Sequence, residues 1–187
     1  MQETPYEGRA TITKDSNFLE IVIPSKKNWF SIIFLAAWLG GWTMGEISAF
    51  NQVFDDGSGG VVDVFIIFWL IAWTIGGCGA ILILLWLIGG QEKITVDNGE
   101  VEIRKQIFEI GLSKEYSIPE IKYLTLNQAR NRDQWGRNIS NFLNHGQIEF
   151  DYGLRTIKFA SDIDAAEARL IIETFKQNPN FRAENFR

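Results

Sequence analysis

Residues 61–88 have the sequence VVDVFIIFWLIAWTIGGCGAILILLWLI, which contains one charged side chain, Asp63. A second apolar run, WFSIIFLAAWLGGWTMGEISAF at residues 29–50, also contains one, Glu46. About 20 apolar residues in a helix cross a hydrocarbon core roughly 30 Å thick, so each run is long enough to span a membrane. The alternative, two buried helices of a water-soluble protein, needs a larger polar shell than this chain supplies. We therefore predict a pair of transmembrane helices.

The net charge of −5 is distributed unevenly along the 187 residues. Residues 29–90 hold no Lys or Arg, four acidic residues and six of the seven tryptophans, so this block carries −4. The remaining 18 basic and 19 acidic residues leave −1 for the polar parts of the chain. This balance excludes a strongly basic nucleic-acid-binding protein, and we expect no nucleic acid among its partners.

A single cysteine and a single histidine limit the chemistry. Cys78 lies in an apolar stretch and cannot form an internal disulfide or a cysteine-based zinc site. His145 is the one imidazole, and no Ser, Cys or carboxylate stands at a spacing typical of a catalytic partner. No glycine-rich phosphate loop is recognisable either. We therefore expect no metal, no cofactor and no enzymatic activity.

The distribution of basic residues predicts how the spans are oriented. Lys26 and Lys27 precede the first apolar run, and Lys93, Arg104 and Lys105 follow the second. The connecting loop at residues 51–60 has no basic residue. Cytoplasmic segments next to a span are enriched in Lys and Arg, so both termini are predicted to be cytoplasmic. The first 28 residues are mostly polar, and we expect no signal peptide.

Small residues recur every four positions in each span: Ala37, Gly41, Gly45 and Ala49 in the first, and Ala72, Gly76 and Ala80 in the second. Such residues let helix backbones approach closely in lipid. We interpret the two stripes as the contact between the helices of an antiparallel hairpin. The alternative is that one stripe faces a second protein, either a different partner or another copy of the chain.

The two acidic residues of the spans fall toward the outer ends of the helices. Glu46 and Asp63 lie within about two turns of a predicted helix end, so we favour side chains that reach the outer interface. The alternative is a proton or cation site within the membrane, because acids in spans are often functional.

From Ile94 onward the apolar residues alternate with polar ones, which is typical of half-buried strands. Asn98-Gly99 between ITV and EVEIRK predicts a tight hairpin turn. Four further runs, LSKEYSI, IKYLTL, QIEFDY and LRTIKFA, bring the total to about six strands. A helix with Ser161 as its N-cap follows and stops at Pro179. We assign residues 91–178 to this β domain and predict that residues 179–187 form a disordered tail.

The N-terminal residues 1–28 also have the pattern of a hairpin, with RATIT and FLEIVIP on either side of a turn at residues 15–17. An isolated hairpin is marginally stable in water, which favours its docking on the β domain. The transmembrane hairpin, residues 29–90, would then be an insertion within one composite domain.

The order of features resembles the bacterial PH-like membrane proteins, in which membrane helices carry a small pleckstrin-homology-like domain. The resembling stretches are EKITVDNGEVEIRKQIFEIGLSKEYSIPEIKYLTL and GQIEFDYGLRTIKFASDIDAAEARLIIETF. The resemblance implies a membrane α + β protein, a two-helix transmembrane hairpin with a cytoplasmic PH-like antiparallel β barrel closed by the C-terminal helix. It also implies a location in the bacterial cytoplasmic membrane and binding of proteins, peptides or lipid head groups.

Two segments are candidate ligand-binding or partner-binding sites. The first holds Arg130, Arg132, Trp135 and Arg137 in one polar loop, suited to anionic lipid heads or an acidic protein. Its alternative interpretation is a solvated loop balanced by Asp133. The second is the apolar tip at residues 107–112, including Phe108 and Ile110, which would contact lipid or a partner. We favour the alternative that its side chains belong to the core of two long strands.

These observations favour a non-enzymatic, membrane-anchored binding or scaffold module. Its PH-like domain would recruit a protein partner at the cytoplasmic face of the membrane, during assembly of a membrane complex. One alternative is an anionic-lipid-sensing module that uses the arginine loop. A further alternative is an ion or proton conductor built from oligomerised spans around Glu46 and Asp63.

Overall fold

A computed structural model of the protein describes residues 8–15, 18–55, 61–127 and 146–186. The chain divides into two compact units. One is Lys26–Gly89, and the other combines Met1–Ser25 with Gly90–Arg187. We call them the helical unit and the β unit.

The helical unit consists of α1 (Trp29–Asp55) and α2 (Val61–Gly89). Both helices are long and apolar enough to cross a membrane, as predicted. Contacts of Trp42 with Gly77 and of Glu46 with Thr74 run in opposite directions along the two sequences, so the helices are antiparallel. Both helices extend beyond the predicted apolar runs, α1 by five residues.

The contact between the helices does not use the predicted small-residue stripes, so the packing that we favoured is wrong. Gly41, Gly45 and Gly76 have open space where a Cβ would be, and Ala37 and Ala72 are exposed. Residues spaced strictly by four rotate about 40° per step around a helix, because one turn takes about 3.6 residues. A stripe with this spacing therefore cannot remain in contact with a straight neighbouring helix along its length. Of its alanines, only Ala49 and Ala80 are half-buried.

The actual seam follows a spacing of three and four residues. Its buried or half-buried members are Leu35, Leu39, Trp42, Glu46 and Ala49 on α1, and Ile66, Leu70, Trp73, Gly77 and Ala80 on α2. This alternation keeps one face of each helix toward the other, as in a coiled coil. At Gly77 an added Cβ would lie 2.1 Å from the ring of Trp42. Gly77 is therefore the glycine that the close approach requires.

Among its described residues, the β unit has eight antiparallel strands in two sheets. The five-stranded sheet has the order β1 (Thr11–Lys14), β2 (Leu19–Pro24), β3 (Gly90–Asp97), β4 (Glu100–Ile107) and β5 (Ile110–Ser117). The three-stranded sheet has the order β6 (Ile121–Leu126), β7 (Ile148–Tyr152) and β8 (Arg155–Phe159). Within the described ranges no strand pairing joins the two sheets.

The N-terminal hairpin is part of the larger sheet, because β2 pairs with β3 along its whole length. The predicted turn between β3 and β4 has the left-handed geometry that Asn-Gly favours, with φ of 49° at Asn98 and 81° at Gly99. Inward-facing residues of both sheets form one core. Its largest side chains include Phe150, Phe159 and Phe175.

The C-terminal helix, α3 (Ala165–Lys176), packs Ala168, Ile171 and Phe175 into this core. Its N-cap is Asp164, whose side chain accepts hydrogen bonds from the backbone N–H groups of Ala166 and Glu167, each at 2.9 Å. The prediction of Ser161 as the cap is wrong.

The segment after α3 is ordered, which corrects the prediction of a disordered tail. A short 3-10 turn, Ala183–Asn185, follows Phe181, and the side chains of Phe181 and Asn185 are buried. Phe181 lies 5.2 Å from Phe175 between ring centroids, and Phe186 lies 5.8 Å from Phe181. The polar composition of the segment hides this order, since Asn185 bonds to Ile118 and Ile121 and Phe186 forms a β-bridge with Leu124, all of them distant in sequence.

Candidate functional site

Four strand ends lie together at one end of the larger sheet. At this end the chain leaves β2 toward α1 and enters β3 from α2. Pro24 of β2 pairs with Gln91, and the N–H of Ser25 donates to the carbonyl of Gly90 at 2.9 Å. Gly90 also pairs with Ile107, which in turn pairs with Ile110 across the β4–β5 turn. We call this end of the β unit the connection end.

The β4–β5 tip, Phe108 to Leu112, lies at the connection end and is exposed. Phe108, Ile110 and Leu112 keep 58%, 87% and 84% of their surface accessible, so the core interpretation that we favoured is wrong. Alternation in the sequence fits a half-buried strand, but β5 is the last strand of its sheet. Its residues 110–115 are exposed on both faces. The sequence alone could not identify β5 as the edge.

The outer edge of β5 has no neighbouring strand in the described part of the chain. In a two-residue hairpin the pair next to the turn, here Ile107 and Ile110, exchanges hydrogen bonds, and every second pair does so after it. The backbone groups of Gly111, Ser113 and Glu115 therefore point away from β4. This edge offers a row of N–H and C=O groups to a further strand.

The predicted arginine loop, with Arg130, Arg132, Trp135 and Arg137, lies outside the described residues, as does His145. Among the residues that the structure does describe, no group of three or more His, Cys, Asp or Glu side chains is placed to hold a metal ion.

Sequence reasoning missed a buried carboxyl in the β unit. Glu92 is 4% exposed and shares a face of β3 with Ile94 and Val96. Its Oε2 accepts a hydrogen bond from the N–H of Ser161 at 3.2 Å, whereas Oε1 has no partner among the described groups. The alternation of β3 carries the signal, because the face of Ile94 and Val96 continues through position 92.

Burial raises the pKa of Glu92 above its ordinary value of 4.5. The charge of Lys105, which pairs with Glu92 across β3 and β4, partly opposes this shift in pKa, as do the backbone N–H groups of Ser161 and Ala160. The carboxyl lies two residues from Gly90, and therefore close to the connection end.

We expect this carboxyl to make stability depend on pH. Between 4.5 and its raised pKa, the folded protein retains a proton that the unfolded chain releases. The contribution of Glu92 to the free energy of unfolding therefore falls as the pH rises through this interval and is constant above it. Glu92→Gln removes the titration, so the variant should lack this fall. Urea unfolding in detergent over a pH series measures the difference, with the exposed Glu100→Gln as control. An unchanged pH profile in Glu92→Gln would contradict the assignment.

Polar and aromatic side chains also cluster within the helical unit. Glu46 contacts the hydroxyl of Thr74 through Oε1, and its Oε2 is buried without a described partner. The side chain is thus directed to α2 and not to the helix end, which corrects the interpretation that we favoured. Asp63, the other acidic residue of the predicted spans, is not among the residues whose side chains the structure describes.

Next to this contact lies a groove of about 320 Å³. It is lined by Trp38, Trp42, Trp69, Ala72, Trp73 and Gly76. Trp73 stacks on Trp42 at 6.2 Å and on Trp69 at 4.4 Å between ring centroids. The predicted small residues Ala72 and Gly76 thus line an aromatic groove together with the tryptophans.

No model of a known protein family matches the chain, and no curated protein sequence matches it.

Proposed function

We propose that the protein is a non-enzymatic, membrane-anchored binding module. In this proposal α1 and α2 span the bacterial cytoplasmic membrane, and the β unit is a PH-like domain on its cytoplasmic face. The domain recruits a protein partner during assembly of a larger membrane complex. The observation that carries the proposal is the outer edge of β5, which no strand among the described residues covers, in a unit that is covalently continuous with two helices of spanning length.

The pairing of β2 with β3 supports the orientation. β2 precedes α1 and β3 follows α2, yet the two strands pair from Leu19–Val96 to Pro24–Gln91. Strands can pair only if they are on the same side of a membrane, so the chain must cross it an even number of times. Two crossings satisfy this condition. The basic residues near the connection end, among them Lys26 and Lys93, favour the cytoplasmic side.

Two antiparallel sheets over a shared core, with a C-terminal helix packed on that core, support the PH-like assignment. Closure of the two sheets into a barrel belongs to the same proposal. Such a domain presents its sheet edges as ligand sites, and an extended peptide can add a strand to an open edge. The partner that we propose therefore binds as a strand along β5, where main-chain hydrogen bonds supply affinity.

A proline at the β5 edge tests this mode of binding. Ser113 has an outward-facing N–H, which Ser113→Pro removes, and proline is tolerated at such edge positions. Ser113→Ala is the matched control, since it removes the hydroxyl and keeps the N–H. Each protein is purified from its native membranes in mild detergent, and co-purifying protein is quantified by mass spectrometry. We expect a stoichiometric partner with the wild type and with Ser113→Ala, and a loss of at least about tenfold with Ser113→Pro, because several adjacent hydrogen bonds are disrupted.

Two results would contradict the proposal. One is recovery of the wild-type protein without a stoichiometric partner, which removes partner recruitment altogether. The other is an equal amount of partner on Ser113→Pro, which places the binding surface elsewhere than on the edge of β5.

A further inference from the structure

The β4–β5 tip is held beside the point at which the chain enters and leaves the β unit. Gly90, the residue directly after α2, pairs with Ile107, and the turn begins one residue later at Phe108. Paired residues of antiparallel strands lie about 5 Å apart, so the tip is within roughly 10 Å of Gly90. If α2 crosses a bilayer, Gly90 marks the level at which the chain leaves it.

The two ends of the five-stranded sheet differ in their exposed side chains. At the connection end, Phe108, Ile110 and Leu112 expose three large apolar groups together. At the opposite end, the β3–β4 turn is the polar Asn98-Gly99. Exposed apolar groups that are clustered at one place mark an interaction surface more often than isolated ones do.

The backbone at the tip gives a second reason to assign a role to these side chains. Phe108 has φ of 56°, a conformation that hairpin turns usually give to glycine or asparagine. Phenylalanine therefore does not stabilise this turn conformation. Its ring also contributes little packing energy, since it is more than half exposed. A bulky residue in a strained and exposed position indicates that its side chain acts outside the fold.

The charges near the tip fit the surface of a bilayer. Lys26 and Lys27 directly follow Ser25 at the connection end, and both are exposed. Basic side chains at this level attract anionic lipid head groups. Glu109, at the apex of the turn between two apolar residues, is exposed as well. A carboxylate there opposes deep burial and restricts apolar contacts to the interfacial layer.

We propose that Phe108, Ile110 and Leu112 insert into the interfacial layer of the bilayer that α1 and α2 span. The occupant of this surface is lipid, with a head group region that includes anionic species. The inference rests on the membrane anchoring in the proposed function and is independent of partner recruitment. It gives the β unit a third attachment to the membrane, besides its two covalent connections.

Three proteins with a single cysteine test the insertion, each labelled with the environment-sensitive fluorophore NBD. In Ile110→Cys and Leu154→Cys, the native Cys78 is replaced by alanine. Leu154 is the matched control, because it is a fully exposed leucine on the β7–β8 turn. The β7–β8 turn lies at the end of the β unit opposite the tip. Tyr152, beside this turn, pairs with Ile121, and the nearby Ile118 bonds to Gly99 of the β3–β4 turn. The third protein keeps Cys78, which is exposed midway along α2.

Each labelled full-length chain is reconstituted in vesicles of phosphatidylethanolamine and phosphatidylglycerol, some of which carry lipids with a spin label near the head group. We expect these lipids to quench the fluorophore at position 110 several-fold more than the one at position 154. Aqueous iodide should give the reverse order. A probe at Cys78 should be protected from iodide, because it lies within the bilayer.

The outcomes separate this inference from the proposed function. If Cys78 is protected and the probes at positions 110 and 154 are quenched equally by iodide, the insertion is wrong while the anchoring stands. If iodide reaches the probe at Cys78, the anchoring fails, and the insertion fails with it.

Discussion

Replacing Gly77 with alanine is expected to lower the free energy of unfolding of the helical unit by about 1–3 kcal/mol, the usual cost of overpacking a close contact. An added Cβ would lie 2.1 Å from the ring of Trp42. The ring cannot retreat freely, because it is stacked on Trp73. Either the stack or the distance between the helices must change. Unfolding in mixed micelles of increasing SDS content, followed by tryptophan fluorescence, measures the loss.

The neighbouring glycine is a matched control for this prediction. At Gly76 an added Cβ meets nothing within 4 Å, so Gly76→Ala should be neutral or slightly stabilising through its higher helix propensity. The two variants have identical composition and differ only in which side of α2 they alter. Equal stability of the two variants would contradict the seam that the structure places at Gly77.

Asn185→Asp is expected to destabilise the β unit by about 2–4 kcal/mol, because two buried carbonyls lose their donor. The side-chain amide of Asn185 donates to the carbonyl of Ile118 at 2.8 Å and to that of Ile121 at 2.7 Å. Aspartate has the same shape, but it directs an oxygen toward both carbonyls. The side chain is 2% exposed, so water cannot replace the lost bonds.

Thermal unfolding of the full-length protein in detergent, followed by circular dichroism, measures this effect. Asn28→Asp serves as the control for the change of charge. Asn28 is exposed, and its side-chain oxygen accepts a hydrogen bond from the N–H of Ser31, a capping role that aspartate fills equally well. If Asn185→Asp unfolds at the same temperature as Asn28→Asp, the C-terminal segment does not contribute to the core.

Local patterns predicted the elements of this fold well. A run of about 20 apolar residues has few alternatives to a spanning helix, and Asn98-Gly99 between alternating strands determines a turn on its own. Both signals depend on neighbours in sequence. The two helices of spanning length and the antiparallel β hairpins were therefore predicted with approximately the bounds that the structure has.

The features that were mispredicted depend on partners distant in sequence. The small-residue stripe of α2 gave no indication that Trp42 would approach Gly77 and not Gly76. The C-terminal segment has a polar composition, and its order comes from Asn185 bonding to residues more than 60 positions away. The exposure of Ile110 depends on β5 being the last strand of its sheet. Tertiary context decides each of these points, and local periodicity carries no information about it.

The pairing of β2 with β3 also constrains the order of events during synthesis. β2 leaves the ribosome first, with Leu19, Ile21 and Ile23 on the face that will become buried. Its partner follows only after α1 and α2 have been made. If α1 and α2 span a membrane, as we propose, β2 must therefore wait without β3, paired at most with β1, until both helices have been inserted. In that arrangement the sheet can be completed only when the two ends of the helical hairpin lie on one side of the membrane. A chain that inserted only one helix would keep β2 separated from β3, and would present an open strand to chaperones and proteases.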